Sequence, residues 1–357
     1  MTAAFRFTND KKFCHPDMKH IPESIIISRT DSIGDVILTL PMAKILKNYF
    51  PGIKIAFLGR AYTRPVIETA AFIDEFIDIA DFMRKEPLIG GQKPGAILHV
   101  FPAPAIASRA KKLRIPIRIG TTNRLYHWFN CNYLVRLSRR NSSLHEAQLN
   151  LKLLRPFGIN KTFSLEEIAG SMGMEKINPL ERRFSALIDP GKYKLILHPK
   201  SQGSAREWGE ENFVSLIRSL DAEKFQLFIS GTEKEGESLA SLFEKVRGRV
   251  TDLTGKMTLS QFIAFISHCD GIVANSTGPL HIGAALNKDS FGIYSPMHPI
   301  HPGRWAPLGK KTHVFVLNRD CNDCANEKSA CHCIREVKPE SVKQALEKAS
   351  AGIQVSL

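Results

Sequence analysis

The feature that most narrows the fold is a rhythm that runs twice. Short apolar, β-branched runs alternate with helical stretches up to residue 158, and the same alternation restarts at residue 194. In the first half, strands are predicted at 24–28, 53–59, 75–80, 96–100 and 117–120. A helix follows the first strand, a second lies near 103–113, and a longer one covers 144–158. In the second half, strands are predicted at 194–199, 225–231, 251–255, 271–275, 290–295 and 313–317. Helices near 210–220, 233–246, 258–268 and 279–287 separate them, and a last helix falls near 339–350. Residues 160–190 lose the rhythm and read as a linker plus an irregular segment. Alternation of this kind in each half predicts an α/β protein with two parallel sheets, helices on both faces of each. The length of 357 residues suits two domains. The expected division is an extension over 1–22, a first domain over 23–175, a second over 176–338, and a C-terminal helix and tail over 339–357.

In open parallel sheets, ligands sit beyond the carboxyl ends of the strands. The loops after residues 28, 198, 231 and 275 are therefore the ones to weigh. Charge says what they meet. Lys and Arg number 49 against 35 Asp and Glu, a formal net charge of +14. That balance points to an anionic partner: nucleic acid, an anionic membrane surface or a phosphorylated substrate. No helix-turn-helix, zinc-finger or aromatic stacking motif accompanies it, so no nucleic-acid partner is expected. The first 20 residues lack an apolar targeting segment, and seven cysteines suit a reducing cytoplasm.

The first loop, "RTDSIGD" at 29–35, has a single glycine. It matches neither a dinucleotide fingerprint nor a P-loop. Ser32 and Asp35 have capping-box spacing, in which Asp35 reaches back to a backbone N–H. The other reading turns Asp35 into the cleft as a general base. Pro41 should kink the following helix. The loop "HPKSQGSAREWG" at 198–209 offers Lys200, Ser204 and Arg206, small residues and N–H groups that suit a phosphate; the bland reading is a solvated surface loop. In "NSTGPLHIGAAL" at 275–286, Ser276 or Thr277 can cap a helix. Gly278 permits close approach, Pro279 suits the first helical position, and His281 lies in the first turn, either as a site residue or as a core histidine. The cysteines Cys321, Cys324, Cys331 and Cys333 form two close pairs that could hold zinc, but their spacing is not that of a standard ribbon. No metal or cofactor is expected.

Together the three loops, in this order, resemble those of the family 9 glycosyltransferases, the lipopolysaccharide heptosyltransferases. "SRTDSIGDVILTLPMAKILKNYFP", "LHPKSQGSAREWGEENF" and "ANSTGPLHIGAAL" carry the resemblance, which runs from about Ser24 to near the C-terminus. It implies a GT-B fold of two Rossmann-like domains, the first binding an acceptor and the second a nucleotide-sugar. It implies an inverting transfer, usually from ADP-heptose, to a lipopolysaccharide core or related glycolipid, by a cytoplasmic enzyme in peripheral contact with the inner membrane. Asp35 matches the family's catalytic aspartate. Arg206 matches a basic position at the pyrophosphate, and Thr277, Gly278 and His281 match the motif Asp-Ser/Thr-Gly-x-x-His. This chain departs from that motif with Ser276 at the acidic position. Glu235, in "GTEKE", stands where the family places an acid near the ribose. Lys200, Ser204 and Pro279 complete the donor set. Ser32, Arg60, Arg118 and Arg124 are the candidate acceptor contacts.

The chain has no Asp-x-Asp triplet. Charge on a departing diphosphate would then be met by Arg206, Lys200 and helix N–H groups. A nucleotide-sugar epimerase or hydrolase of the same fold remains an alternative, as does a homologue that binds a nucleotide-sugar without turnover.

Overall fold

A computed structural model describes residues 21–139, 142–201, 203, 205–318 and 332–351. The first sheet contains β1 (Ser24–Ser28), β2 (Lys54–Gly59), β3 (Glu75–Asp78), β4 (Ala96–His99), β5 (Ile117–Thr121) and β6 (Tyr133–Val135). Its order is β3-β2-β1-β4-β5-β6. The second contains β7 (Tyr193–His198), β8 (Phe225–Ile229), β9 (Thr251–Asp252), β10 (Gly271–Asn275), β11 (Asp289–Ile293) and β12 (Thr312–Phe315), in the order β12-β11-β10-β7-β8-β9. Every pairing is parallel. Numbered within its own half, the second sheet repeats the first. The order reverses between β1 and β4, and again between β7 and β10. A parallel sheet leaves a crevice for ligands at such a reversal.

Parallel strands covered on both faces read as unbroken apolar runs. β1 shows it: Ile25 and Ile27 enter one core, Ile26 the core on the other face, and all three are fully buried. β6 escapes sequence reading because it spans three residues beside a short crossover.

Several helices differ from expectation. Pro41 ends one helix and begins another: the chain is helical over Ile33–Ile37 and again over Pro41–Tyr49, with Pro41 at the first turn, where its missing N–H costs nothing. The stretch predicted as one helix over 144–158 is α-helical only over Glu146–Leu151. It tightens to a 3₁₀-helix over Lys152–Phe157, which accommodates Pro156. The helix expected over 233–246 breaks at Leu239 into Glu233–Ser238 and Ala240–Lys245. Residues 160–190 are not a plain linker. They hold helices Leu165–Ala169 and Arg182–Ser185, and Met172 and Met174 bury themselves in the first domain's core, with Met174 bridged to Ala70. Helix Pro339–Ala351 packs on Glu210–Ser219, burying Val342 and Leu346 in the second domain's core.

The two domains meet tip to tip. Helix Ile33–Ile37, after β1, contacts helix Gly278–Ala285, after β10. Both begin at the carboxyl edges of their sheets, so the contact lies on the floor of the cleft.

Candidate active site

Glycine makes that contact possible. A Cβ on Gly34 would stand 2.9 Å from the His281 ring, and a Cβ on Gly278 would stand 2.9 Å from the Ile33 Cβ. Neither position has room for a side chain. The two helix tips divide the cleft into two cavities of about 710 Å³ and 590 Å³, both touching Ser32, Thr277 and Gly278.

The larger cavity is lined on the first-domain side by Asp35 and Arg139. Facing them from the second domain are Arg206, Ser276, His281, Ser295 and Arg304. Asp35 is anchored rather than free. One carboxylate oxygen accepts from Arg29 Nη2, and the other accepts from Ser32 Oγ at 2.5 Å. The Asp35 side chain remains 15% exposed, into the cavity. Ser32 is the N-cap, accepting from the Asp35 N–H at 3.5 Å. The reciprocal half of the capping box is replaced: the carboxylate takes the serine hydroxyl and Arg29, not a backbone N–H.

Behind Asp35 lies an ion network that the sequence did not mark. Arg29, buried under β1's end, donates to Asp31 at 2.7 Å, to Glu146 at 3.2 Å and to Asn150 at 3.2 Å, besides Asp35. Burial disfavours the Arg29 charge, but Asp35, Asp31 and Glu146 outweigh it and hold its pKa above the ordinary value. Asp31 is pushed up to about 6 by burial, against the pull of Arg29. Glu146 is 1% exposed and is gripped by three arginines: Arg29, Arg139 at 2.9 Å, and Arg304 at 2.8 Å. Burial works against the Glu146 charge, and Arg139, Arg29 and Arg304 reverse that and lower its pKa. Arg304 comes from the second domain, so this carboxylate ties the domains together. Beside it, His145 Nε2 donates to the Ala306 carbonyl at 2.9 Å, a second tie.

His281 is buried, and its Nδ1 has no partner among the described residues. Burial, and then neighbouring His145, hold its pKa down to about 3. It is therefore a neutral hydrogen-bonding group, not a cation. Arg206 Nε is likewise buried with no partner among the described residues, an unspent donor at the cavity wall.

The smaller cavity is built by the loops after β7, β8 and β9. Leu253, Met257, Leu259 and Phe262 give it an apolar side; His198, Ser201, Thr232 and Glu235 give it a polar one, and Pro279 closes it beside Gly278. Glu235 accepts from the Thr232 N–H at 2.7 Å and the Thr232 hydroxyl at 3.0 Å, completing a capping box. It caps its helix and lines the cavity together.

Other expected site residues lie elsewhere. Lys200 is ion-paired with Glu210 at 2.8 Å and lines neither cavity, so its charge is already met. Arg118 sits at the amino end of β5, remote from the carboxyl edge, and donates to the Asn130 and Ile115 carbonyls. Those bonds make it a structural residue rather than an acceptor contact. Arg124 is exposed at the N-cap of helix Leu125–Asn130 and lines neither cavity. Arg60 donates to the Thr30 carbonyl at 2.7 Å, holding the Asp35 loop from outside. Ser204, Cys321, Cys324 and Cys331 lie outside the described residues; Cys333 is buried. Among the described residues, no group of three or more His, Cys, Asp or Glu is placed to hold a metal ion.

The sequence signals for the missed residues were faint. Glu146 and Asn150 are polar at i and i+4 on a helix that also buries Ala147, Leu149 and Leu151. Two polar groups one turn apart on a buried helix need partners.

Two six-stranded parallel domains facing a cleft form the GT-B arrangement of glycosyltransferases, and the fold matches solved heptosyltransferases. The Escherichia coli ADP-heptose LPS heptosyltransferase II superposes with a TM-score of 0.72 at 17% identity, covering 93% of this chain and 99% of that one. The chain belongs to glycosyltransferase family 9 (heptosyltransferase), whose model matches residues 110–335. A putative glycosyltransferase of Haemophilus influenzae is 28% identical over 304 residues, 80% of this chain and 86% of its own length. Lipopolysaccharide heptosyltransferase 2 of Escherichia coli is 31% identical over 119 residues, about a third of either chain. The chain is thus a heptosyltransferase-like glycosyltransferase. The Asp35 loop lies before the stretch that the family model matches, so its role rests on geometry.

Proposed function

We propose that this enzyme moves a heptose, with inversion, from ADP-heptose to a lipopolysaccharide core or related glycolipid, with Asp35 as general base. The observation that carries the reading is that Asp35 and Arg206 line facing sides of one cavity. ADP-heptose and lipopolysaccharide come from the name of the E. coli fold relative. The apolar side of the smaller cavity suits a nucleobase, and Glu235 beside it suits ribose hydroxyls. The diphosphate would cross at Thr277 and Gly278, shared by both cavities, and the sugar would enter the larger one. An acceptor hydroxyl gives its proton to an Asp35 oxygen while its own oxygen attacks the anomeric carbon. The bond from that carbon to the diphosphate oxygen breaks on the opposite face. The leaving diphosphate keeps the electron pair, and Arg206 and the backbone N–H groups at the tip of helix Gly278–Ala285 meet its charge. Ser276, where the family motif has an acid, removes one negative group from that side. The same reading puts the enzyme in the cytoplasm, against the membrane that holds the acceptor, and calls for no resident cofactor or metal.

The test is a mass-spectrometric screen of nucleotide-sugars against an extracted, truncated lipopolysaccharide. A mass gain of one heptose with ADP-heptose alone is expected. Transfer of a hexose from a uridine donor instead would overturn the donor assignment.

A further inference from the structure

Helix Leu125–Asn130 presents apolar residues to solvent. Leu125, Phe129 and Trp128 are 76%, 67% and 48% exposed. They stand at i, i+3 and i+4, so they share one helical face. The orientation is fixed from beneath: His127 is buried, and its Nδ1 accepts from the Thr121 N–H at 2.9 Å. Contiguous exposed apolar side chains on a soluble domain mark a contact surface.

The surroundings are basic. Residues 87–145 contain ten Lys and Arg and no Asp or Glu. Helix Pro104–Lys112 packs beside Leu125–Asn130, and Lys111 Nζ reaches the Phe129 carbonyl at 2.8 Å. Lys111, Lys112, Arg114 and Arg124 are all exposed around the apolar face. A second copy of this chain would bring the same cations against themselves. An anionic lipid surface offers both complements, a hydrocarbon boundary for the side chains and charge for the rim.

We propose that helix Leu125–Asn130, with the last turn of Pro104–Lys112, is a docking face for an anionic phospholipid bilayer. It rests on the reading above only for why the enzyme would approach a membrane. Among the described residues, no helix is long and apolar enough to cross one. Leu125 follows closely on the carboxyl end of β5, the sheet edge that also carries the Asp35 loop. Docking there holds the cleft near the bilayer, where a lipid-anchored acceptor presents its sugars.

The full chain would be sedimented with vesicles of phosphatidylethanolamine and phosphatidylglycerol, and with vesicles of phosphatidylcholine alone. Binding to the anionic vesicles only, weakened by salt, is expected. The double variant Leu125→Ser, Phe129→Ser should bind them about tenfold more weakly or worse. Tryptophan emission should shift to the blue on binding in the native chain and stay fixed in Trp128→Phe. Undiminished vesicle binding by the double variant overturns the proposal. So does a native dimer that the double variant converts to monomer, since the face would then join two copies. Calorimetric ADP-heptose binding and transfer to a deacylated, water-soluble acceptor should be unchanged in these variants. Loss of those in the native chain sinks the functional reading and leaves the vesicle result standing.

Discussion

The ring of His281 lies against Gly34 so closely that a single methyl group on the glycine would stand 2.9 Å from it. Gly34 precedes Asp35, and His281 sits one turn into the helix whose tip lines both cavities. Gly34→Ala must therefore displace the His281 ring or part the two helix tips. Overpacking of this kind costs about 1–3 kcal/mol. Transfer should fall by about a hundredfold, because small misplacements of reacting groups are that costly. Thermal unfolding and kcat/KM together check this; a fully active, fully stable Gly34→Ala would show that the contact does not set the geometry.

Asp35→Asn keeps the side chain's shape and its bond from Ser32 but removes the proton acceptor. Calorimetry should find nucleotide-sugar binding intact, while kcat drops by about two to four orders of magnitude. Near-native turnover would remove Asp35 from the mechanism.

Glu146→Gln leaves Arg139 and Arg304 facing a neutral amide with no carboxylate to meet their charge, while Arg29 keeps Asp31 and Asp35. Breaking a buried pair costs roughly 3–5 kcal/mol. Lys256→Ala, which removes an exposed pair with Asp252, should cost about 0.5 kcal/mol or less. Denaturant midpoints for the two variants should differ accordingly, and equal losses would mean that the network carries no special weight.

Acid should loosen the fold through buried histidines. Burial holds His281 and His99 down to about 3 and His145 to about 4, from an ordinary value of 6.5. The unfolded chain protonates them first, so their contribution is complete above pH 6.5. It is lost progressively as pH falls from there toward 3 or 4. Each contributes about 1.4 kcal/mol per pH unit within its window. Unfolding free energy followed from pH 7 to pH 5 should fall in the native chain and fall less steeply in His281→Gln. Identical slopes would show that His281 is not buried neutral.

The architecture was readable because β1, β7 and β10 are covered on both faces and are apolar through their centres. That Asp35, Thr277 and Gly278 would face the cleft was readable because each follows a strand at the carboxyl edge of its sheet. Local sequence could not announce what distant partners decide. Glu146 meets Arg29 across 117 positions and Arg304 across 158. Arg118 looked like a cleft cation, but carbonyls on the far edge of β5 claim it. Lys200 looked free until Glu210 turned toward it.

The repeated strand order has a consequence for how the chain is made. In each half the strand synthesised first, β1 or β7, ends in the middle of its sheet. β2 covers one edge of β1 at residues 54–59, but the other edge stays bare until β4 arrives at 96–99. β7 waits longer, for β10 at 271–275. A bare apolar strand edge is a template for unwanted pairing. On the ribosome, the nascent chain therefore exposes such an edge twice, once until β4 has emerged and again until β10 has.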